Sequence, residues 1–181
     1  MPNKTTNSKI LLDILAKTSQ TLIDFGTFFY DMKHWRSAYM RGGSAYVREL
    51  KKLKNEKGVR LAYESLRRSK YITARKIGKK LIISLTAKGV AKTLSEQLLS
   101  TKPNAQNFYT VVIFDIPETE RLARRQFRLF LRQSGFKKLQ QSVWVSNNDV
   151  LQSLAKFIKQ IKLQCWVNVF YAKNFLYPPH S

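Results

Sequence analysis

Two short clusters of cations have the residue types and spacing to bind a polyanion. Arg60, Tyr63 and Arg67 stand three and four positions apart, a spacing that gathers side chains on one side of a helix, and Arg68 adjoins Arg67. Arg75, Lys76, Lys79 and Lys80 flank Gly78, and Lys70 lies between the two clusters. Guanidinium groups form bidentate pairs with phosphates and with the guanine edge, while lysine offers the backbone a point charge. Tyr63 would touch a thymine methyl or a phosphate, or simply pack. A third set, Arg121, Arg124, Arg125, Arg128 and Arg132, could line further phosphates; a solvated face is the bland reading of such a charge run. Acidic chemistry is sparse. Asp115 ends an apolar run two residues before Pro117, with Glu118 and Glu120 nearby. A divalent ion needs several oxygen ligands, so the simpler reading makes Asp115 a strand terminator and the glutamates complements to a helix N-terminus. His34 and His180 are far apart and unaccompanied, and the one cysteine, Cys165, sits in an apolar, strand-like run. No nucleophile–base pair, internal disulfide or zinc site follows from these residues, and none of them calls for a cofactor.

The totals agree with the clusters. Of 181 residues, 33 are Lys or Arg and 11 are Asp or Glu, a net charge of +22. Such a surface attracts polyanions, because each cation set against a phosphate releases condensed counterions. Duplex DNA, ribosomal RNA and an anionic membrane surface all satisfy that requirement. No run approaches 18 uninterrupted apolar residues, so no spanning helix is expected. Residues 1–8 lack the pattern of a signal peptide, which favours a reducing cytoplasm. With 44% apolar residues the chain can build a packed core.

The elements that must position the cations come next. Residues 1–104 carry 22 basic and 7 acidic side chains, and residues 105–181 carry 11 and 4. Ser100-Thr101-Lys102-Pro103-Asn104 reads as a linker between them. The expected division is a first domain over 1–99, a linker over 100–106 and a second domain over 107–181. Ile10, Leu11, Ile14, Leu15, Leu22, Phe25 and Phe29 predict one amphipathic helix over about 8–30. Gly42-Gly43 breaks the chain, Ser44 starts a second helix reaching about 55, and a third covers about 59–69 with Ala62 and Leu66 inward. That third helix turns Arg60, Tyr63, Arg67 and Arg68 outward. Two β-prone runs around Gly78 predict a hairpin, and Thr86 opens a last helix to about 99. Helix, helix, short turn, helix and basic-tipped hairpin is the order of a winged helix-turn-helix.

The second half predicts a strand over 108–114 and a helix over about 118–134, stopped at Gly135, with Leu122, Ala123, Phe127, Phe130 and Leu131 inward. Extended structure over 136–146 follows, then a helix over 148–160 with Leu151, Leu154, Ala155 and Ile158 on one face, and a strand over 163–171. The order βαββαβ is that of a ferredoxin-like fold. Trp144, Trp166, Val167 and Phe170 read as sheet core or dimer surface. The expected class is therefore α+β: a winged helix-turn-helix followed by a ferredoxin-like βαββαβ domain.

Val111-Val112-Ile113-Phe114-Asp115-Ile116-Pro117, the arginine-rich helix, Gly135-Phe136 and Gln140-Gln141-Ser142-Val143-Trp144 resemble the CRISPR-associated protein two fold. The same domain occupies the centre of the PaaX family of repressors. Residues 44–91 resemble the winged helix of that family, with Tyr71-Ile72 before the wing and Leu85-Thr86-Ala87-Lys88-Gly89 after it. The resemblance spans about residues 10–172. It implies a homodimeric transcriptional regulator, expected to repress, that binds double-stranded DNA. Arg60, Tyr63, Arg67, Arg68, Lys70, Arg75, Lys76, Lys79 and Lys80 would touch DNA, and Arg121, Arg125, Arg128 and Arg132 would give secondary phosphate contacts.

PaaX repressors usually continue into a further C-terminal domain, whereas this chain ends soon after its last expected strand. It thus resembles a shortened form, and the acyl-CoA response familiar in that family is not carried over; any small-molecule effector is left open. The CRISPR-associated relatives supply the alternatives. In their nuclease members the aspartate ending the first strand is implicated in metal binding, with a twofold axis bringing two together. That implies a magnesium-dependent endonuclease built on paired Asp115. A non-catalytic scaffold of spacer-acquisition type is the other alternative.

Overall fold

The computed structural model describes residues 6–17, 23–53, 55–104, 108–173 and 175. Residues 18–22 of the expected first helix, residues 105 and 106 of the expected linker, and His180 lie outside the described residues. The chain is an α+β protein that divides into two compact units, Met1–Thr93 and Leu94–Ser181.

The first unit begins with α1 (Asn7–Lys17), which buries Ile10, Leu11, Leu12, Ile14 and Leu15. The expected helix over 8–30 is not one element. A short strand, β1 (Ile23–Asp24), intervenes, and a separate helix, α2 (Phe25–Lys33), follows it. Asp24 causes the restart: its carboxylate accepts from the backbone N–H of Gly26 and Thr27 and from the Thr27 hydroxyl, at 3.4, 3.4 and 2.7 Å. The apolar period runs through this region because both helices bury their stripes in the same core.

The next helix, α3 (Trp35–Lys51), starts well before Ser44 and carries its kink at Gly43, whose φ of 67° belongs to the left-handed region. Helix α4 (Glu56–Arg68) then leads into the hairpin of β2 (Ile72–Ile77) and β3 (Lys80–Leu85). Strand β1 adds to β3, giving an antiparallel sheet ordered β1-β3-β2. Helix α5 (Ala87–Leu99) follows, and the boundary between the units falls within it.

The second unit runs β4 (Tyr109–Phe114), α6 (Arg121–Gln133), β5 (Lys137–Gln140), β6 (Val143–Ser146), α7 (Leu151–Gln160) and β7 (Val167–Ala172). Its antiparallel sheet is ordered β5-β6-β4-β7, so the two outer strands flank a central pair as in ferredoxin-like folds. Val112, Leu131 and Leu154 are fully buried between sheet and helices. Phe127 packs edge-on against Phe114 at 5.3 Å between ring centroids, and Phe130 meets Phe157 at 4.5 Å. Lys102 and Asn104, in the stretch read as a linker, are held by the 147–149 turn: Asn104 N–H donates to the Asn147 carbonyl and Asp149 N–H to the Lys102 carbonyl.

Three local expectations need correction. Leu122 is 68% exposed rather than inward, because the helix proper begins only at Arg121 after a short 3-10 turn at Glu118–Glu120. Ala155 is exposed, and Phe157 takes the buried position beside Leu154 and Ile158. Cys165 is exposed in the turn before β7, which starts at Val167 rather than at residue 163.

Candidate nucleic-acid interface

Helix α4 is built to stop and start sharply. Asn55 caps it by accepting from the Gly58 N–H at 2.6 Å, and Glu56 in the first turn faces the positive end of the helix dipole while pairing with Lys33 at 2.7 Å. Val59, Ala62, Tyr63 and Leu66 are buried, and Arg60, Leu61, Glu64, Arg67 and Arg68 are exposed. Tyr63 therefore does not face outward as the spacing suggested. It is 6% exposed, with its ring centroid 4.8 Å from that of Phe25. Arg60 lays its guanidinium over the Phe29 ring at 4.6 Å, so its reach is fixed at the flank of the helix.

The joint between α4 and the hairpin is equally defined. Lys70 takes a φ of 58°, and the Tyr71 N–H returns to the Leu66 carbonyl at 2.9 Å, closing the helix end. The Thr86 hydroxyl donates to the Lys70 carbonyl at 2.7 Å and accepts from the Gly89 N–H at 3.0 Å, capping α5 on that same turn. A Cβ at Gly89 would run into the Tyr71 carbonyl, so only glycine permits this approach. Lys88 adds a bond to the Ser69 carbonyl at 3.0 Å and lies over the Tyr71 ring. The exposed Lys70 is thus carried on a rigid corner.

In the hairpin, pairing fixes which cation points where. Thr73↔Ser84, Arg75↔Ile82 and Ile77↔Lys80 share one face, and Ala74↔Ile83 and Lys76↔Leu81 share the other. The second face rests on the core through Ile72, Ile83, Ala74 and Leu81. Arg75 and Lys80 consequently lie together on the outer face, Lys76 lies on the opposite face near the tip, and Lys79 sits in the turn itself. All four are exposed.

The arginines of α6 separate into two groups. Arg124 pairs with Glu118, and Arg128 lies over the Phe114 ring at 5.7 Å and donates to Gln141 Oε1 at 3.4 Å. The Arg128 Nε is buried with no hydrogen-bond partner among the described residues. Arg121, Arg125 and Arg132 are exposed. Of the secondary phosphate candidates, only Arg128 is therefore half withdrawn into the fold.

Asp115 is exposed, and its backbone N–H donates to the Trp166 carbonyl at 2.9 Å, which joins the end of β4 to the start of β7. Among the described residues, no three His, Cys, Asp or Glu side chains group closely enough to hold a metal ion. Trp144 and Val167 are core residues, at 2% and 5% exposed, whereas Trp166 and Phe170 stand at 36% and 42%. No helix, among the described residues, is long and apolar enough to cross a membrane.

Two further exposed residues of α4, Leu61 and Glu64, carry no signal in the sequence, because one falls off the apolar stripe and the other is not a cation. The same holds for the aromatics Tyr30, Trp35 and Tyr39 on α2 and α3, which the apolar period assigns to neither face. They are exposed, with Lys51 over Trp35 at 5.8 Å and Arg41 over Tyr30 at 5.9 Å.

Residues 102–180 match the family described as the PaaX protein central Cas2-like domain. Comparison with curated proteins gives no match. The matched stretch contains the whole of the β4-α6-β5-β6-α7-β7 unit. Over residues 102–180 the chain is accordingly similar to the Cas2-like domain at the centre of PaaX proteins.

Proposed function

We propose that the protein is a sequence-specific DNA-binding transcriptional regulator, a repressor by kinship with PaaX proteins, acting as a homodimer in the cytoplasm. The observation that carries this reading is the continuity of α4, the Lys70 corner and the β2–β3 hairpin as one rigid, cation-studded surface. In this reading the unit is a winged helix: α4, about 10–12 Å across with its side chains, enters a major groove. Arg67 and Arg68 reach base edges or phosphates, while Arg60, Lys70, Arg75, Lys76, Lys79 and Lys80 hold the flanking backbone. Tyr63 supports α4 from within and takes no part in contact. The Cas2-like domains pair two copies, so each modest reader gains effective concentration from the other, and Arg121, Arg125 and Arg132 add phosphate contacts.

Selection of random duplex DNA by the intact protein at near-physiological salt tests the reading. An enriched palindrome or direct repeat is expected, with half-sites spaced by about one helical turn or a multiple of it. Binding without any enriched sequence, collapsing as salt rises, would overturn it, since that behaviour is backbone attraction alone.

A further inference from the structure

We propose that Glu64 and Leu61 of α4 are base-reading residues, Glu64 accepting from the N4 amino group of a cytosine and Leu61 packing on the methyl of a nearby thymine. The proposal rests on the reading that α4 enters a major groove, and it adds what that helix would recognise.

At 100° per residue, the buried set Val59, Ala62, Tyr63 and Leu66 centres on one side of α4. The diametrically opposite stripe is Lys57, Leu61, Glu64 and Arg68, with Arg60 and Arg67 displaced to one flank. Whatever the exposed face of α4 meets, Leu61 and Glu64 meet it at the centre. Leu61 is 64% exposed, and Glu64 is exposed with no ion pair among the described residues. Arg60, Arg67 and Arg68 nevertheless stand four, three and four positions away, the spacings at which helical ion pairs form. Among the described residues, then, no cation takes up the carboxylate, which leaves it open to an external donor.

A carboxylate at the centre of a phosphate-binding face is repelled by every phosphate, so it is tolerated there only where it meets a hydrogen-bond donor. Major-groove edges offer two donors, the amino groups of cytosine and adenine. Adenine presents its amino group beside the N7 acceptor, which a carboxylate cannot satisfy and an amide can; cytosine presents a donor alone. A large aliphatic side chain has one favourable partner in the groove, the thymine methyl. Three residues of helix rise about 4.5 Å, against about 3.4 Å per base pair, so the cytosine and thymine should lie within about two base pairs of each other.

The experiment is random-duplex selection at one fixed salt concentration with the wild-type chain, E64Q and L61A, each checked by thermal melting. Both positions are exposed, so the variants are expected to melt with the wild type. The expected result is a wild-type site with C and T within two base pairs. E64Q should lose about tenfold or more of its preference for C at one position and turn toward A there, and L61A should lose preference for T at the neighbouring position. Identical enriched sites for all three proteins would overturn the assignment and leave the regulator reading standing, as would an E64Q that merely binds every duplex more tightly. No enriched sequence with the wild type would overturn the regulator reading and this assignment with it.

Discussion

The ring of Tyr63 lies 4.8 Å from that of Phe25, inside the core of the first unit and on the far side of α4 from Leu61. One residue of α4 that carries the chemistry of a base contact is thus a packing residue that holds the helix against α2. Tyr63→Ala should cost about 3–5 kcal/mol of unfolding free energy, the range for deleting a buried ring, and Tyr63→Phe should cost little. Urea unfolding of both variants checks this. An alanine variant as stable as wild type would return Tyr63 to the surface.

The α4 period correctly set Ala62 and Leu66 inward and the arginines outward, because exposure follows charge with few exceptions. Tyr63 was ambiguous, since a phenol fits a core or a surface equally and only the position of Phe25 decides. The strand β1 was hidden because two residues are too few to show alternation, and the Asp24-x-x-Thr27 cap that announces the restart lies inside an apolar period continuous on both sides. In the second unit the order of elements was legible from strong patterns such as Val111-Val112-Ile113-Phe114. Leu122 was not, because the helix begins three residues later than Pro117 and Glu118 suggest, leaving its first turn unpacked.

Asp31 ties the halves of the kinked helix together. It is buried at 1% exposed on α2, accepts from Arg41 Nε at 2.9 Å and Tyr46 Oη at 3.3 Å, and these two partners stand on opposite sides of Gly43. Removing the two partners should have unequal effects. Arg41 has a side chain 45% exposed and returns to water when Asp31 is lost, whereas losing Arg41 strands a carboxylate in the core. Arg41→Ala is therefore expected to destabilise more than Asp31→Asn, by about 1 kcal/mol or more. Chemical denaturation of the two variants decides it, and equal losses would mean that the kink is held by packing alone.

Acid should weaken the first unit through Glu49. Burial pushes this carboxyl upward, but hydrogen bonds from Lys52 and Lys17 outweigh it and hold its pKa below the ordinary 4.5. A depressed folded value means stability that is present above the ordinary 4.5 and lost as pH falls through the folded value. Glu56, hydrogen-bonded by Lys33, and Asp24, where burial is outweighed by hydrogen bonds from Thr27 and Gly26, shift in the same direction. Glu49→Gln should therefore flatten, though not abolish, the acid limb of a stability–pH profile. A limb of unchanged steepness would show that Glu49 contributes nothing to it.

The two groups of arginines on α6 should differ in the salt dependence of DNA binding. Each phosphate contact contributes about one to the slope of log affinity against log salt. Arg121, Arg125 and Arg132 are exposed and open to a phosphate, whereas Arg124 is engaged by Glu118 and Arg128 by the Phe114 ring and Gln141. Replacing the first three with alanine should lower the slope by up to about three, and replacing Arg124 and Arg128 should leave it nearly unchanged. The latter pair should affect melting instead. For Arg128 the effect should be small, because its Nε is buried with no described partner and its loss removes that penalty along with the ring contact. Equal slope changes per residue in the two sets would mean that α6 acts through the general field of the protein. A change confined to the exposed set would make the Cas2-like unit a second DNA-contacting surface.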